Sequence, residues 1–416
     1  MADDQQQDTP RHNKPPNTAP WEQAFERMLT LLEDFVHQQT SSSILLMICT
    51  VTAMLIANSG WNEYYFHFLH TPTAISVGKY RFEFSLLHWI NEALMSFFFL
   101  LVGLELKREL LVGELADIRR AALPIIAAIG GMVIPAALYW WWNPQGIGTA
   151  GWGIPMATDI AFAIGILSLL SGRIPPTLAT FLIALAIVDD LGAVMVIAFF
   201  YTEQLNFTAL LIASSFTVLL MTFNLGGIQR VLPYMLVGIL LWCAMLSSGV
   251  HATLAGVILA FTIPIRLKNL EPAQAPAQRL ESNLHIVVAY LIIPLFALAN
   301  AAIPVDINNI SNIITDRVTA GVISGLVIGK WIGVAGASWL AIKTGIATMP
   351  TGLTMRHIHG IGLLAGIGFT MSIFVADLAF TGEPSVLLMA KTGILMASVI
   401  SGVCGYCWLR FYCSNR

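Results

Sequence analysis

Apolar runs of about twenty residues, separated by short stretches rich in Gly, Pro and charge, recur along most of the 416-residue chain. A helix of that length crosses about 30 Å of hydrocarbon, so the pattern predicts repeated membrane crossings. Spans are expected near residues 42–59, 86–106, 121–142, 151–171, 176–200 and 207–223, then 232–247, 249–264, 284–303, 319–341, 357–379 and 387–411. The expected fold class is an all-α membrane protein of about twelve transmembrane helices. Residues 42–411 would form one transmembrane domain, preceded by an extension over 1–41 and followed by a short tail, 412–416. Within the extension, Trp21, Phe25, Met28, Leu32 and Phe35 fall on one helical face, which suits a segment lying on the membrane surface. Residues 1–20 are polar and proline-rich, without the basic start and apolar core of a cleavable signal, so the first span is expected to direct insertion itself.

Composition sharpens this picture. The chain is 56% hydrophobic and 11% charged, against about 25% charged in an ordinary soluble domain. A net charge of −3 leaves no basic stripe to follow phosphates, which excludes a nucleic-acid partner from the expectation. Five cysteines do not make a secreted disulfide framework, and Cys49, Cys243, Cys404 and Cys407 lie in apolar runs, where packing is the expected role. Cys404 and Cys407 spell CxxC, but mid-span they lack the exposed, electropositive setting of a redox pair.

Basic residues set the orientation. With the N-terminus inside, alternate loops hold the eleven residues Lys107, Arg108, Arg119, Arg120, Arg173, Arg230, Arg266, Lys268, Arg279, Lys343 and Arg356, against three, Lys79, Arg81 and Arg317, on the opposite side. Both termini are therefore expected in the cytoplasm of a bacterial inner membrane, with Glu203 on an external loop. Residues 61–85 read as a hairpin-like stretch suited to homodimer contacts on the outer face.

Two spans are unfit for continuous helices. The fourth reads GWGIPMATDIAFAIG, with Gly151, Gly153, Pro155 and the pair Thr158–Asp159; the eleventh reads GIGLLAGIGFTMSIF, with Gly360, Gly362, Gly366, Gly368 and Thr370. Broken helices free backbone groups that need a cavity or an ion, although small residues also serve close helix packing. Each broken span is the middle member of a three-helix block, spans 3–5 and 10–12, and the blocks start on opposite sides. That arrangement is expected of an inverted-topology repeat with its ion site at mid-membrane.

Charges inside spans cost about 2.5 to 3.5 kcal/mol each even on a lenient scale. Asp159, Asp189, Asp190 and Lys330 are placed there. One Asp–Lys pair could simply neutralise itself and lock helices together, but three carboxylates and one ammonium exceed that account. Adjacent helical residues point about 100° apart, so of Asp189 and Asp190 one can pair while the other faces a cavity. Desolvation and a neighbouring like charge favour a protonated carboxylate, which lets such a group hold either a proton or a cation. Carboxylate, threonine hydroxyl and backbone carbonyl are hard oxygen ligands suited to Na⁺ or Li⁺, and no His/Cys cluster offers another metal site.

The strings FFFLLVGLELKREL, AAIGGMVIPA, ATDIAFAIG, ALAIVDDLGA, SGVHATLAGV, VAYLIIPLFALANA and GIGFTMSIF, in this order between about residues 42 and 411, resemble the NhaA family of bacterial Na⁺/H⁺ antiporters. The resemblance implies that Asp190 is the main cation ligand and proton carrier, assisted by Asp189 and Thr158. It implies that Asp159 offsets half-helix N-termini and that Lys330 offsets C-terminal ends while pairing with Asp189. Exchange would be electrogenic, with Na⁺ or Li⁺ leaving as protons enter, no cofactor, no catalysis, and a role in pH and sodium homeostasis. Pro155, Gly153, Gly366, Gly368 and Thr370 would supply the broken-helix backbone.

The same resemblance places a pH response at a cytoplasmic funnel matched by Glu105, Arg108, Glu109 and Glu281, with His251 as a further candidate. A helix-start histidine bonded to backbone is the simpler reading of His251. Ser282 follows Glu281 where family members can carry histidine, and Asp377 stands near the outer end of span 11, within reach of interfacial water.

Other classes fit less well. An intramembrane aspartyl protease needs two carboxylates facing each other around a shared proton, which neighbours on one helix cannot provide, and no GxGD string occurs. A Na⁺-coupled solute symporter, the nearest alternative, would want a larger polar cavity and no buried lysine beside the aspartates. A buried neutralising lysine also opposes steady cation conduction through a channel.

Overall fold

The computed structural model describes residues 41–77, 80–113, 116–202, 205–265, 275–304, 313 and 315–413. The surface helix expected around Trp21–Phe35 and the external loop position Glu203 lie outside the described residues.

The chain begins with α1 (Ser41–Ala57), bent by 115° into α2 (Asn62–Leu69). An antiparallel hairpin follows, β1 (Pro72–Val77) paired to β2 (Tyr80–Ser85) with Pro72 opposite Ser85. The hairpin-like stretch is thus one helix and a two-stranded ribbon. The long helices are α3 (Leu86–Leu111), α4 (Ile118–Trp142), α6 (Pro176–Phe200), α7 (Phe207–Leu225), α10 (Pro276–Asn300), α11 (Arg317–Lys343) and α14 (Pro384–Tyr412). Between them lie a 3₁₀ segment (Ile147–Met156) leading into α5 (Ile160–Ser168), the shorter helices α8 (Val231–Leu246) and α9 (Leu254–Thr262), and the pair α12 (Met355–Leu364) and α13 (Phe369–Ala379).

Among the described residues seven helices are long and apolar enough to cross a membrane uninterrupted, and three bent pairs raise the count to ten. The seventh and eighth expected spans are where the count is thinnest. Val231–Leu246 has 16 residues and Leu254–Thr262 nine. Gly249 takes φ 82°, a left-handed turn conformation suited to glycine, and the chain turns again before α9, so regular helix begins only at Leu254.

The exterior is apolar. α7 buries Ala209, Ala213 and Leu220 while Phe207, Leu211 and Val218 stand exposed, a distribution that only a lipid surround stabilises. The protein is a multi-pass membrane protein. Cys404 and Cys407 also face outward from α14 and are exposed, which corrects the expectation that they pack inside. Both lie within the last three turns of that helix.

Small residues bring α4 and α11 together: a Cβ on Gly333 would lie 2.2 Å from the Gly130 carbonyl oxygen, so neither helix tolerates a side chain at this crossing. In α11 the Ser324–Gly329 turn is π-helical and ends at Lys330. This wide turn re-aims the register of the helix just before its buried charge.

Candidate functional site

The two broken spans meet at their breaks. In the fourth span, Pro155, which lacks an N–H, lies in the last turn of the 3₁₀ segment; Ala157 is extended, and Asp159 caps α5 by accepting from the Phe162 N–H at 3.1 Å. The span bends by 41° there, and the eleventh bends by 49° between α12 and α13, where Gly366 and Gly368 lie. A Cβ at Gly366 would fall 2.3 Å from the Leu326 carbonyl oxygen, so this approach to α11 requires glycine. Gly153 donates its N–H to the Tyr201 hydroxyl at 3.3 Å.

Backbone and side chains stitch the breaks together. The Asp159 N–H donates to the Ile367 carbonyl at 2.6 Å. Its Oδ2 accepts from the Thr370 N–H at 3.0 Å and from the Thr370 hydroxyl. One carboxylate therefore serves the N-terminal turns of both α5 and α13, where the free N–H groups and the helix dipole favour negative charge. Thr158 Oγ1 sits 2.7 Å from Asp189 Oδ2 and 2.9 Å from the Ala365 carbonyl. A hydroxyl has a single proton, so it donates to one of these oxygens at a time.

Asp189 and Asp190 sit midway along α6 and separate as their helical angle requires. Asp189 Oδ2 accepts from Lys330 Nζ in an ion pair whose two side chains are wholly buried. Asp190 makes no ion pair or hydrogen bond among the described residues, and its Oδ1 is buried without a partner. It lines a cavity of about 710 Å³. Asp189 Oδ1 is likewise buried and unbonded.

Glu105, Arg108, Glu281, Ser282 and His285 line the same cavity. Arg108 Nη1 lies 2.7 Å from Glu281 Oε1, and its Nη2 lies 3.0 Å from Glu109 Oε1. His285 Nδ1 lies 3.5 Å from Glu105 Oε1. Four of the five expected pH-response residues are thus together. His251 is not with them: its Nε2 is 2.6 Å from the Tyr201 carbonyl oxygen, just past the far end of α6. Sequence reasoning passed over His285, although its i,i+4 spacing from Glu281 on α10 puts both on one face.

The crossing offers carboxylate, hydroxyl and carbonyl oxygens with one fixed ammonium. Among the described residues no group of three or more His, Cys, Asp or Glu side chains makes a metal cluster. A multi-pass bundle with a buried, partnerless carboxylate lining a cavity has the features of a membrane transporter. The family model described as Na⁺/H⁺ antiporter 1 matches residues 33–409. A Na⁺/H⁺ antiporter NhaA of Sulfurimonas denitrificans is 47% identical over 434 aligned positions, covering 94% of this chain and 98% of that relative. One from Citrobacter koseri is 50% identical, covering 91% of this chain and 97% of its own, and NhaA 1 of Saccharophagus degradans is 46% identical, covering 94% and 93%. The chain belongs to the NhaA family of Na⁺/H⁺ antiporters, and is a transporter rather than an enzyme.

Proposed function

We propose that this protein exchanges Na⁺ or Li⁺ for H⁺ by alternating access at Asp190, electrogenically, extruding sodium across the bacterial inner membrane. The observation that carries this reading is the contrast between neighbours: Asp189 is held by Lys330 and Thr158, while Asp190 faces the cavity without a partner. A carboxylate in that state binds a proton or a hard cation in turn, because either restores the charge balance that burial demands. Asp189 and Thr158 would complete the oxygen set once the cation arrives. Asp159 balances the N-terminal ends of α5 and α13, and Lys330 balances the C-terminal ends of the 3₁₀ segment and α12. Glu105, Arg108, Glu109 and Glu281 would set the pH response at the cytoplasmic mouth.

The bent pairs support an inverted repeat of three helices each, α4 with the broken span and α6, and α11 with the broken span and α14. Counting α8 and α9 as spans gives twelve crossings with both termini in the cytoplasm. The hairpin of β1 and β2 would serve a homodimer. The test is a pH dye in everted vesicles containing the protein: Na⁺ or Li⁺ should dequench it with no added organic solute. A signal that required a solute would instead support a symporter.

A further inference from the structure

On the side of the bundle away from the cavity, four helices meet in a polar cluster that the exchange site does not use. Asn91 lies fourteen residues before Glu105 on α3, about 21 Å along a helix. Asn300 ends α10, nineteen residues beyond Glu281, about 28 Å. Asn300 Nδ2 donates to Asn91 Oδ1 at 2.7 Å, and Asn91 Nδ2 returns a bond to Asn300 Oδ1 at 3.3 Å. Facing them, Asp377 Oδ1 of α13 lies 2.8 Å from Lys391 Nζ of α14, with 15% and 13% of those side chains exposed. Asp377 is therefore mostly enclosed and paired, where the sequence placed it within reach of interfacial water.

The pattern of bond lengths divides the cluster. α3 packs along α10, and α13 packs along α14. The amide pair joins the first two helices and the ion pair joins the second two. Among the described residues, the polar contact that crosses between the pairs is a long one, Asn91 Nδ2 to Asp377 Oδ2 at 3.4 Å. Beneath it, one turn earlier on α13, the buried Phe374 ring sits 5.3 Å from Phe99 of α3 and 6.3 Å from Phe296 of α10. The ring contacts of Phe374 and the polar layer thus lie one turn apart on α13, and the longest polar contact lies along one seam.

We propose that the Asn91–Asn300 and Asp377–Lys391 pairs are the two leaves of an outer gate, parting at the Asn91–Asp377 contact whenever Asp190 faces outward. The gate rests on the exchange reading above, since a protein that did not alternate would have no need to part this seam. Each leaf stays bonded within itself on opening, so no charge is left bare: Asp377 keeps Lys391, and each asparagine keeps the other.

The test is reversible cross-linking in a background lacking Cys49, Cys243, Cys404, Cys407 and Cys413. Asn91→Cys with Asp377→Cys spans the seam; Asn91→Cys with Asn300→Cys stays within one leaf. Each is treated with a short reducible bifunctional thiosulfonate, and Na⁺-dependent proton flux is read in everted vesicles before and after reduction. Linking across the seam should cut flux to below about a tenth and reduction should restore it, while linking within the leaf should change it less than about twofold. Undiminished flux across a verified seam link, or equal loss from both links, overturns the gate. If Asn91→Cys with Asp377→Cys fails to fold, Phe99→Cys with Phe374→Cys crosses the same seam and carries the same expectation. Absence of Na⁺-dependent flux in every reduced form would instead overturn the exchange reading. The gate is then read by outside labelling of a cysteine at Phe374 with an impermeant thiosulfonate, which a link between Asn91→Cys and Asp377→Cys must suppress and which, if unaffected by the link, refutes it.

Discussion

Lys330 reaches Asp189 across 141 positions of sequence, and neither side chain is exposed to solvent. The pair joins α6 to α11 beside the crossing of the broken spans. Removing one partner from a buried pair leaves the other charge without compensation, a cost of about 3–5 kcal/mol. Lys330→Ala should therefore lower the thermal midpoint in detergent as well as the exchange rate. Asp189→Asn combined with Lys330→Gln should recover much of the stability. A double variant as unstable as Lys330→Ala alone would contradict the pairing.

Thr370 presents both its N–H and its hydroxyl to Asp159, and only the hydroxyl can be removed by substitution. A hydrogen bond to a charged acceptor contributes about 1.5–3 kcal/mol. Thr370→Val, which keeps the branched shape, should lower thermal stability by that order and slow exchange, and Thr370→Ser should restore both. Equal behaviour of the two variants would show that shape, not the hydroxyl, matters there.

Glu281 holds one arm of Arg108 at 2.7 Å while Glu109 holds the other at 3.0 Å. Protonation at acid pH removes the Glu281 charge and loosens that arm; as pH rises the carboxylate ionises and the contact is made. Glu281→Gln fixes the loosened state at every pH. The maximum exchange rate should then lose much of its rise from acid to alkaline pH. An unchanged rate profile would exclude Glu281 from the response.

Orientation is checked by labelling. In intact cells an impermeant maleimide should react with Thr381→Cys, beyond α13, and not with Asp117→Cys, before α4, since the basic residues lie on the side of Asp117. The reverse pattern would invert the topology.

Much of this architecture was legible because the bilayer imposes long apolar runs with helix-breaking residues only where something compensates them. Pro155, Gly366 and Gly368 marked the two breaks, and the 100° between Asp189 and Asp190 foretold that they would part company. Periodicity alone could not say which of the two takes Lys330, since it gives angles but no reference direction; the family resemblance pointed to Asp189, where the structure has it. The sequence likewise hid the Asn91–Asn300–Asp377–Lys391 cluster, which joins four helices by contacts as distant as 286 positions. The outward-facing Cys404 and Cys407 show the same limit: an apolar run does not say which side chains are exposed. His251, by contrast, bonds to backbone as its simpler reading expected.

In the proposed exchange one carboxylate, Asp190, takes H⁺ and Na⁺ in turn. A site that must lose a proton before binding a cation has an apparent affinity that weakens as pH falls, by up to about tenfold per unit for one proton. Asp190→Asn cannot ionise and should abolish exchange at all pH values. The deciding measurement is Na⁺-dependent proton flux across a pH series, with apparent KM and maximum rate fitted separately. KM should climb steadily as pH falls; a KM that stayed constant while only the maximum rate changed would exclude direct competition of H⁺ and Na⁺ at Asp190.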